Sequence, residues 1–207
     1  RSPEAKHPED ADIVNMLGTY QVLAIPAECA GKRIELDLGC GSGSFTAELA
    51  RRYPERAVLA ADLMIGRLRK LVKKAKREGL VNLTAYRCEA RHLVALALPD
   101  GSLDRIHLLC PDPWPKDRHR GHRLMASDFT FQVWRVLKPG GVFHFSSDDE
   151  PYFEAVTRVM ALSGLFKEAE SDLELSDIKS DFEKRWLEAG KTVRHVYYNK
   201  IGSGASI

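Results

Sequence analysis

The stretch Cys110 to Arg123, CPDPWPKDRHRGHR, sets Asp112 between two prolines, follows it with Trp114, and then strings out Lys116, Arg118, Arg120 and Arg123. Proline fixes φ and offers no backbone N–H, so the segment is neither a helix nor a central strand but a stiffened loop. Stiffness holds Asp112 and Trp114 in place, and cations so close to them suit the phosphates of a nucleic-acid backbone. Taken alone, the same run is equally a loop of solvated charges. Trp114 either stacks on a base or packs beneath the loop.

A second constellation lies upstream. In ELDLGCGSGSF a buried run ends at Asp37-Leu38-Gly39-Cys40-Gly41-Ser42-Gly43 and passes straight into a helical pattern. Glycines there let the backbone turn sharply and approach a ligand at a helix N-terminus. The spacing is G-x-G-x-G, not the G-x-G-x-x-G of dinucleotide enzymes, and Asp37 would repel a pyrophosphate while suiting an ammonium group. The next apolar run ends at Asp62, nineteen residues beyond Gly43, where a carboxylate can accept from ribose hydroxyls. Two acids without a phosphate-binding lysine describe S-adenosylmethionine better than a nicotinamide dinucleotide.

These residues need a scaffold. From residue 33, short apolar runs (RIELDL, AVLAADL, LTAYRC, RIHLLC) alternate with helical ones (FTAELARRY, GRLRKLVKKAKREG), which predicts βαβ units around a parallel sheet. After the Pro-rich loop, LMASDFTFQVWRVL reads as a helix with Trp134, Phe131 and Leu137 in the core. Lys138-Pro139-Gly140-Gly141 reads as a turn, VFHFSS as a strand, PYFEAVTRVMALSG as a helix, and SDFEKRWLEAG and TVRHVYYNK as a short helix and a final strand. His107 and His144 alternate inside strands, in hydrogen-bonded structural roles. The cations Arg67 to Arg77 surround a stripe of Ile65, Leu68, Leu71, Val72 and Ala75, so this helix packs on the sheet and its charges form a solvated face.

With 207 residues, 44% hydrophobic and 29% charged, the chain reads as one domain with a core of its own. Residues 1–30 form an N-terminal extension or helix, 31–150 a cofactor-binding core, 151–201 C-terminal substrate-side elements, and 202–207 a flexible tail. No run approaches a membrane span and the opening residues lack a signal's apolar stretch, so the expected location is cytoplasmic, away from membranes. Cys29, Cys40, Cys88 and Cys110 form no C-x-x-C pair, so neither a metal site nor a disulfide framework is expected, and each is a small buried hydrophobe. A net charge of +2 announces no nucleic-acid binder by itself.

From about residue 33 to 147 the chain resembles the class I S-adenosylmethionine-dependent methyltransferases. The fold this implies is α/β and Rossmann-like, with a mostly parallel central sheet, a C-terminal antiparallel strand and helices on both faces. Within that superfamily, Pro111 to Leu124 resembles the P-D-P-W-P-K signature of the tRNA (guanine-N7)-methyltransferases. SSDDEPY is similar to that family's T-D-x-E-x-Y, and SDFEKRWLEAG falls where the family carries T-K-F-E. The resemblance implies methylation of the tRNA variable-loop guanosine at position 46. It implies cofactor contacts at Asp37, Gly39, Gly41, Gly43, Asp62, Glu89 and Asp112, with Glu89 near the adenine. It implies substrate contacts at Lys116, Arg118, Asp148, Ser180, Asp181, Phe182 and Glu183, and tRNA as partner, with the oligomeric state open.

The chain departs from the pattern. Asp181 replaces a lysine, Asp149 an aromatic, and AGKTVRHVYY a glycine-histidine-tryptophan pattern. Ser180-x-x-Glu183 is equally a capping box that starts a helix. Guanine N7 carries a free lone pair, so Asp112 is expected to hold the purine edge and offset developing charge without abstracting a proton. Alternatives are a methyltransferase of another RNA or a small molecule, and a catalytically weakened cofactor-dependent RNA-binding module.

Overall fold

The computed structural model describes residues 7–23, 25–112, 125, 127–170 and 174–202; Trp114, Lys116, Arg118 and the cations after them lie outside these. Eight strands are present among them: β1 (Ile13–Asn15), β2 (Ile34–Leu38), β3 (Ala57–Asp62), β4 (Leu83–Arg87), β5 (Leu103–Leu109), β6 (Leu137–Ser147), β7 (Phe166–Ala169) and β8 (Arg194–Lys200). They form one sheet in the order β1-β4-β3-β2-β5-β6-β8-β7. Every pairing from β1 to β6 is parallel, and β8 runs antiparallel to both its neighbours. The helices are α1 (Ser44–Arg52), α2 (Ile65–Glu78), the single turn α3 (Ala90–His92) with a wide turn over Leu93–Ala97, α4 (Ser127–Val136), α5 (Glu150–Ser163) and α6 (Asp181–Glu188). This is the α/β architecture expected above, with its antiparallel C-terminal strand.

Alternation along the central strands sorts side chains onto two faces. Leu36, Leu38, Ile106, Leu108, Phe143 and Phe145 enter the main apolar core. Glu35, Asp37, Arg105, His107, His144 and Ser146 share the other face, where register sets Asp37 opposite His107, His107 opposite His144, and Ser146 opposite His195. Helix α1 covers that polar row, and Phe45 meets the His107 ring edge-on at 4.8 Å.

Several expectations need correction. The N-terminal extension contributes β1, which adds to the β4 edge, and its preceding turn pairs Asp10 with Arg69 and Asp12 with Lys76 of α2. Part of the α2 charge is therefore neutralised within the fold. Lys138 to Gly141 are assigned to β6, as a bulge between the Leu103–Leu137 and Arg105–Val142 pairs. Leu137 opens that strand and is buried there, while Phe131 is exposed and Trp134 only borders the core, donating Nε1–H to the Ile201 carbonyl at 3.1 Å. Cys29 and Cys88 are buried as expected, whereas Cys40 and Cys110 are half-buried at the ends of β2 and β5.

Candidate active site

Strand β2 has β3 on one side and β5 on the other, the point at which strand order reverses and the crevice of a doubly wound sheet opens. The glycine turn leaves β2 there. Gly43 caps α1 at φ +77°, and a Cβ on it would stand 2.4 Å from Leu71 Cδ1, so only glycine lets α1 start so close to α2. Gly39, at φ +81°, has open space where a Cβ would point.

Asp37 is 2% exposed, and its Oδ2 accepts from Thr46 Oγ1 at 2.5 Å. Burial pushes this carboxyl up to about 7, the nearby Asp62 charge adds to the rise, and the Thr46 hydrogen bond opposes it. Asp62 pins the turn: its Oδ2 accepts the Gly41 N–H at 3.0 Å and its Oδ1 the Met64 N–H at 2.8 Å. Glu89 caps α3 by accepting the N–H groups of Arg91 and His92 at 3.2 and 3.1 Å.

Two cavities meet at Gly39. One of about 230 Å³ follows the strand ends past Asp62, Cys88 and Glu89; the other, of about 110 Å³, lies between the glycine turn and α6, lined by Asp37, Gly41, Asp181, Phe182 and Arg185 among others. Four carboxyl groups around these adjoining cavities, Asp37, Asp62, Glu89 and Asp181, with a glycine leaving room between them, fit a ligand bearing positive charge at one end and hydroxyls in its middle. S-adenosylmethionine has that pattern.

The remaining candidates divide. Ser180 caps α6, accepting the Glu183 N–H at 3.2 Å, and with Asp181 and Phe182 lines the smaller cavity. Glu183 turns inward, 3% exposed, to His195 Nε2 at 3.0 Å and Lys179 Nζ at 2.8 Å. Asp148 is half-buried, 3.6 Å from Lys191, and Asp149 caps α5 through the Tyr152 N–H. Asp112 is exposed beyond β5 and lines neither cavity. The chain reaches it through Cys110, a non-glycine residue at φ +48° whose N–H is held by the Ser146 carbonyl at 3.0 Å. Sequence reasoning missed Thr46, and it assigned Arg67 to a solvated face although Arg67 borders the smaller cavity. Arg185 also went unnoticed, although its i, i+3 spacing from Phe182 places it on the same helix face.

Residues 32–196 match a family profile described as a putative methyltransferase. Among solved structures, the 16S rRNA methyltransferase KamB superposes with a TM-score of 0.62 at 20% identity, covering 83% of this chain and 89% of that one. The 16S rRNA (adenine(1408)-N(1))-methyltransferase of Catenulisporales acidiphilia gives a TM-score of 0.58 at 22% identity over 87% and 90%. Fold and site thus define a Rossmann-like methyltransferase of the S-adenosylmethionine-dependent class. A Geobacter metallireducens tRNA (guanine-N(7)-)-methyltransferase is 31% identical over 89% of this chain and 92% of its own length; a Pseudomonas putida one is 33% identical over 81% and 72%. The chain spans about half of a 31% identical Thermus thermophilus relative, 53% of its length. The chain belongs to the tRNA (guanine-N(7)-)-methyltransferase family.

Proposed function

We propose that this chain methylates N7 of a tRNA guanosine, the variable-loop residue at position 46, at the expense of S-adenosylmethionine. The observation that carries this reading is the buried Asp37 lining the smaller of two adjoining, acid-lined cavities at the reversal point of the sheet, in a chain of this family. When bound, the cofactor supplies an electrophilic methyl group on a sulfonium.

The residues' own parts follow from their places. Asp37, whose carboxyl sits near 7 when no cation faces it, ionises opposite an ammonium group and holds it. Asp62 orients the ribose hydroxyls while keeping its grip on Gly41, and Glu89 borders the adenine end. Phe182 covers the glycine turn, its ring edge 3.8 Å from where a Gly41 Cβ would stand, and excludes water there. Asp112, delivered to the same sheet edge by β5, approaches the purine edge from the open side. Guanine N7 has no proton to lose, so Asp112 positions the base and offsets its growing positive charge. Lys116 and Arg118 carry the tRNA backbone contacts, and Asp148, Ser180 and Asp181 border the substrate side.

The test is incubation of the purified protein with unmodified tRNA and labelled S-adenosylmethionine, followed by nucleoside mass analysis. 7-Methylguanosine is expected at one variable-loop position, and its absence ends the reading. Single-turnover transfer by Asp112→Asn is expected to be slow at every pH; a lost ionisation with an ordinary maximal rate would mean base catalysis instead.

The inward turn of Glu183 and the charge inversion at Asp181 favour one rival, an RNA-binding module with weakened catalysis. That protein would bind tRNA tightly and release no S-adenosylhomocysteine.

A further inference from the structure

The polar face of the sheet carries a hydrogen-bond chain that methyl transfer, as described, does not use. Glu183 Oε1 lies 3.0 Å from His195 Nε2, and His195 Nδ1 lies 3.0 Å from His144 Nε2. His144 Nδ1 is 3.0 Å from His107 Nδ1, and His107 Nε2 is 3.0 Å from Glu35 Oε2. The chain runs from α6 across four adjacent strands, β8, β6, β5 and β2, with a carboxylate at each end.

Each of these four contacts needs one hydrogen. A carboxylate only accepts, so Nε2 of His195 and Nε2 of His107 both donate. A neutral imidazole has one N–H, which leaves both of those rings with a bare lone pair at Nδ1 and asks His144 to donate from both nitrogens. Three neutral rings cannot fill four contacts. The missing hydrogen is not on a glutamate. Burial pushes the Glu35 carboxyl up, but the His107 hydrogen bond and the neighbouring Arg105 and Arg56 cations hold it down, at about 2. Burial likewise opposes ionisation of Glu183, and His195 with Lys179 prevails, keeping it below the usual carboxylate range.

We infer that Glu35, His107, His144, His195 and Glu183 form one proton-sharing relay holding a single extra proton, seated at His195, and that His195 is a positioning residue which fixes α6 against the glycine turn. The surroundings choose the site. Burial and neighbouring cations drive His144, stacked on Tyr197 at 4.2 Å, well below the usual histidine range. At the far end Glu35 already faces Arg33, Arg56 and Arg105 at 3.3, 2.8 and 3.6 Å, and Asp37, across from His107, is engaged by Thr46. Glu183 meets Lys179, the cation paired with it besides His195 among the described residues. An imidazolium is therefore best placed at His195, which fixes His144 as the Nδ1–H tautomer and His107 as the Nε2–H tautomer.

The consequence reaches the cavity through one helical turn. Glu183 is anchored in the first turn of α6, and Ser180, Asp181, Phe182 and Arg185 of that turn and its approach line the smaller cavity. Loss of the extra proton leaves one nitrogen–nitrogen contact without a hydrogen and weakens the hold on a buried carboxylate. Cofactor affinity then falls as pH rises. The kinetic part of this inference rests on the proposed methyl transfer; the proton count does not.

The experiment pairs ¹⁵N NMR of the histidine rings in the wild-type chain, followed against pH, with kinetics of two variants. The spectra are expected to show both His195 nitrogens protonated, His144 protonated at Nδ1 and His107 at Nε2; three neutral rings from pH 6 upward would overturn the relay. His195→Gln, whose amide can donate to Glu183 without titrating, is expected to keep kcat/KM within about threefold and to flatten its alkaline decline. His195→Leu is expected to lower kcat/KM about tenfold, mainly through KM for S-adenosylmethionine. A wild-type KM and pH profile in His195→Leu would overturn the positioning role. Should the wild type show the expected ring protonation but no tRNA methylation, the methyl-transfer proposal fails and the relay stands, and binding of S-adenosylhomocysteine across pH becomes the readout of α6 seating.

Discussion

The two faces of the central sheet are built from the same strands and hold together by different physics. On one side Leu36, Ile106, Phe143 and Phe145 pack into the main core, where stability follows from area removed from water and is indifferent to pH. On the other, Glu35, Asp37, Arg105, His107 and His144 are as deeply buried, and each depends on its neighbours' charge or hydrogen bonds. The smaller cavity opens where that second face meets the glycine turn, whereas the larger is bordered by Leu38, Ala61 and Cys88 of the apolar side. The apolar side supplies the stability that tolerates buried charge on the other.

The largest expected effect tests the apolar side. Phe145 is fully buried and packs against Tyr152 and Phe153, so Phe145→Ala should cost about 3–5 kcal/mol in urea unfolding, by the same amount at pH 5 and pH 8. A cost that changed with pH would break the contrast. The next test concerns the acid limb of the other face. The Glu35 carboxyl falls from 4.5 to about 2 in the fold, so its contribution is present above pH 4.5 and is lost as pH drops toward 2. Wild-type protein should lose about 3 kcal/mol over that window, and Glu35→Gln should remove the slope.

Asp37 works with the opposite sign. Its carboxyl rises from 3.8 to about 7, so the fold favours the protonated form and loses stability as pH climbs between those values. Asp37→Asn should stabilise the ligand-free protein at pH 8 by about 2 kcal/mol, below the full linkage value because the new amide must itself be buried. The same variant should bind S-adenosylmethionine about tenfold more weakly by equilibrium dialysis. Unchanged affinity would remove Asp37 from the cofactor site. The smallest effect belongs to neither face. Asp177→Ala, which breaks an exposed pair with Arg52, should change stability by less than about 1 kcal/mol.

Much of this was legible from local pattern. Alternation placed His107 and His144 inside strands before any coordinates and the glycine spacing placed the turn, while the register that sets Asp37, His107 and His144 side by side came from the sheet. Two strands were not. The burial of β1 and β7, one inward residue in Ile13–Asn15 and one in Phe166–Ala169, is too short a signal to separate from a loop, and both exist because a neighbouring strand offers an edge. Ser180-x-x-Glu183 showed the limit of a local motif. The Ser180 half of the capping box forms, while the Glu183 side chain is drawn to a histidine twelve residues later. Likewise the link from Glu35 to His107 spans 72 positions, and only strand register reveals it. Asp149, odd against the family motif, has a plain local task in starting α5.

Strand β8 has a consequence for assembly. It slots between β6 and β7, so Phe166–Ala169 have no sheet neighbour until Arg194–Lys200 arrive, and the late segment works as a keystone. It also brings His195. The step that completes the sheet is therefore the step that ties Glu183 of α6 to its interior, and a chain interrupted before residue 194 would leave that helix on the glycine turn without its histidine tether.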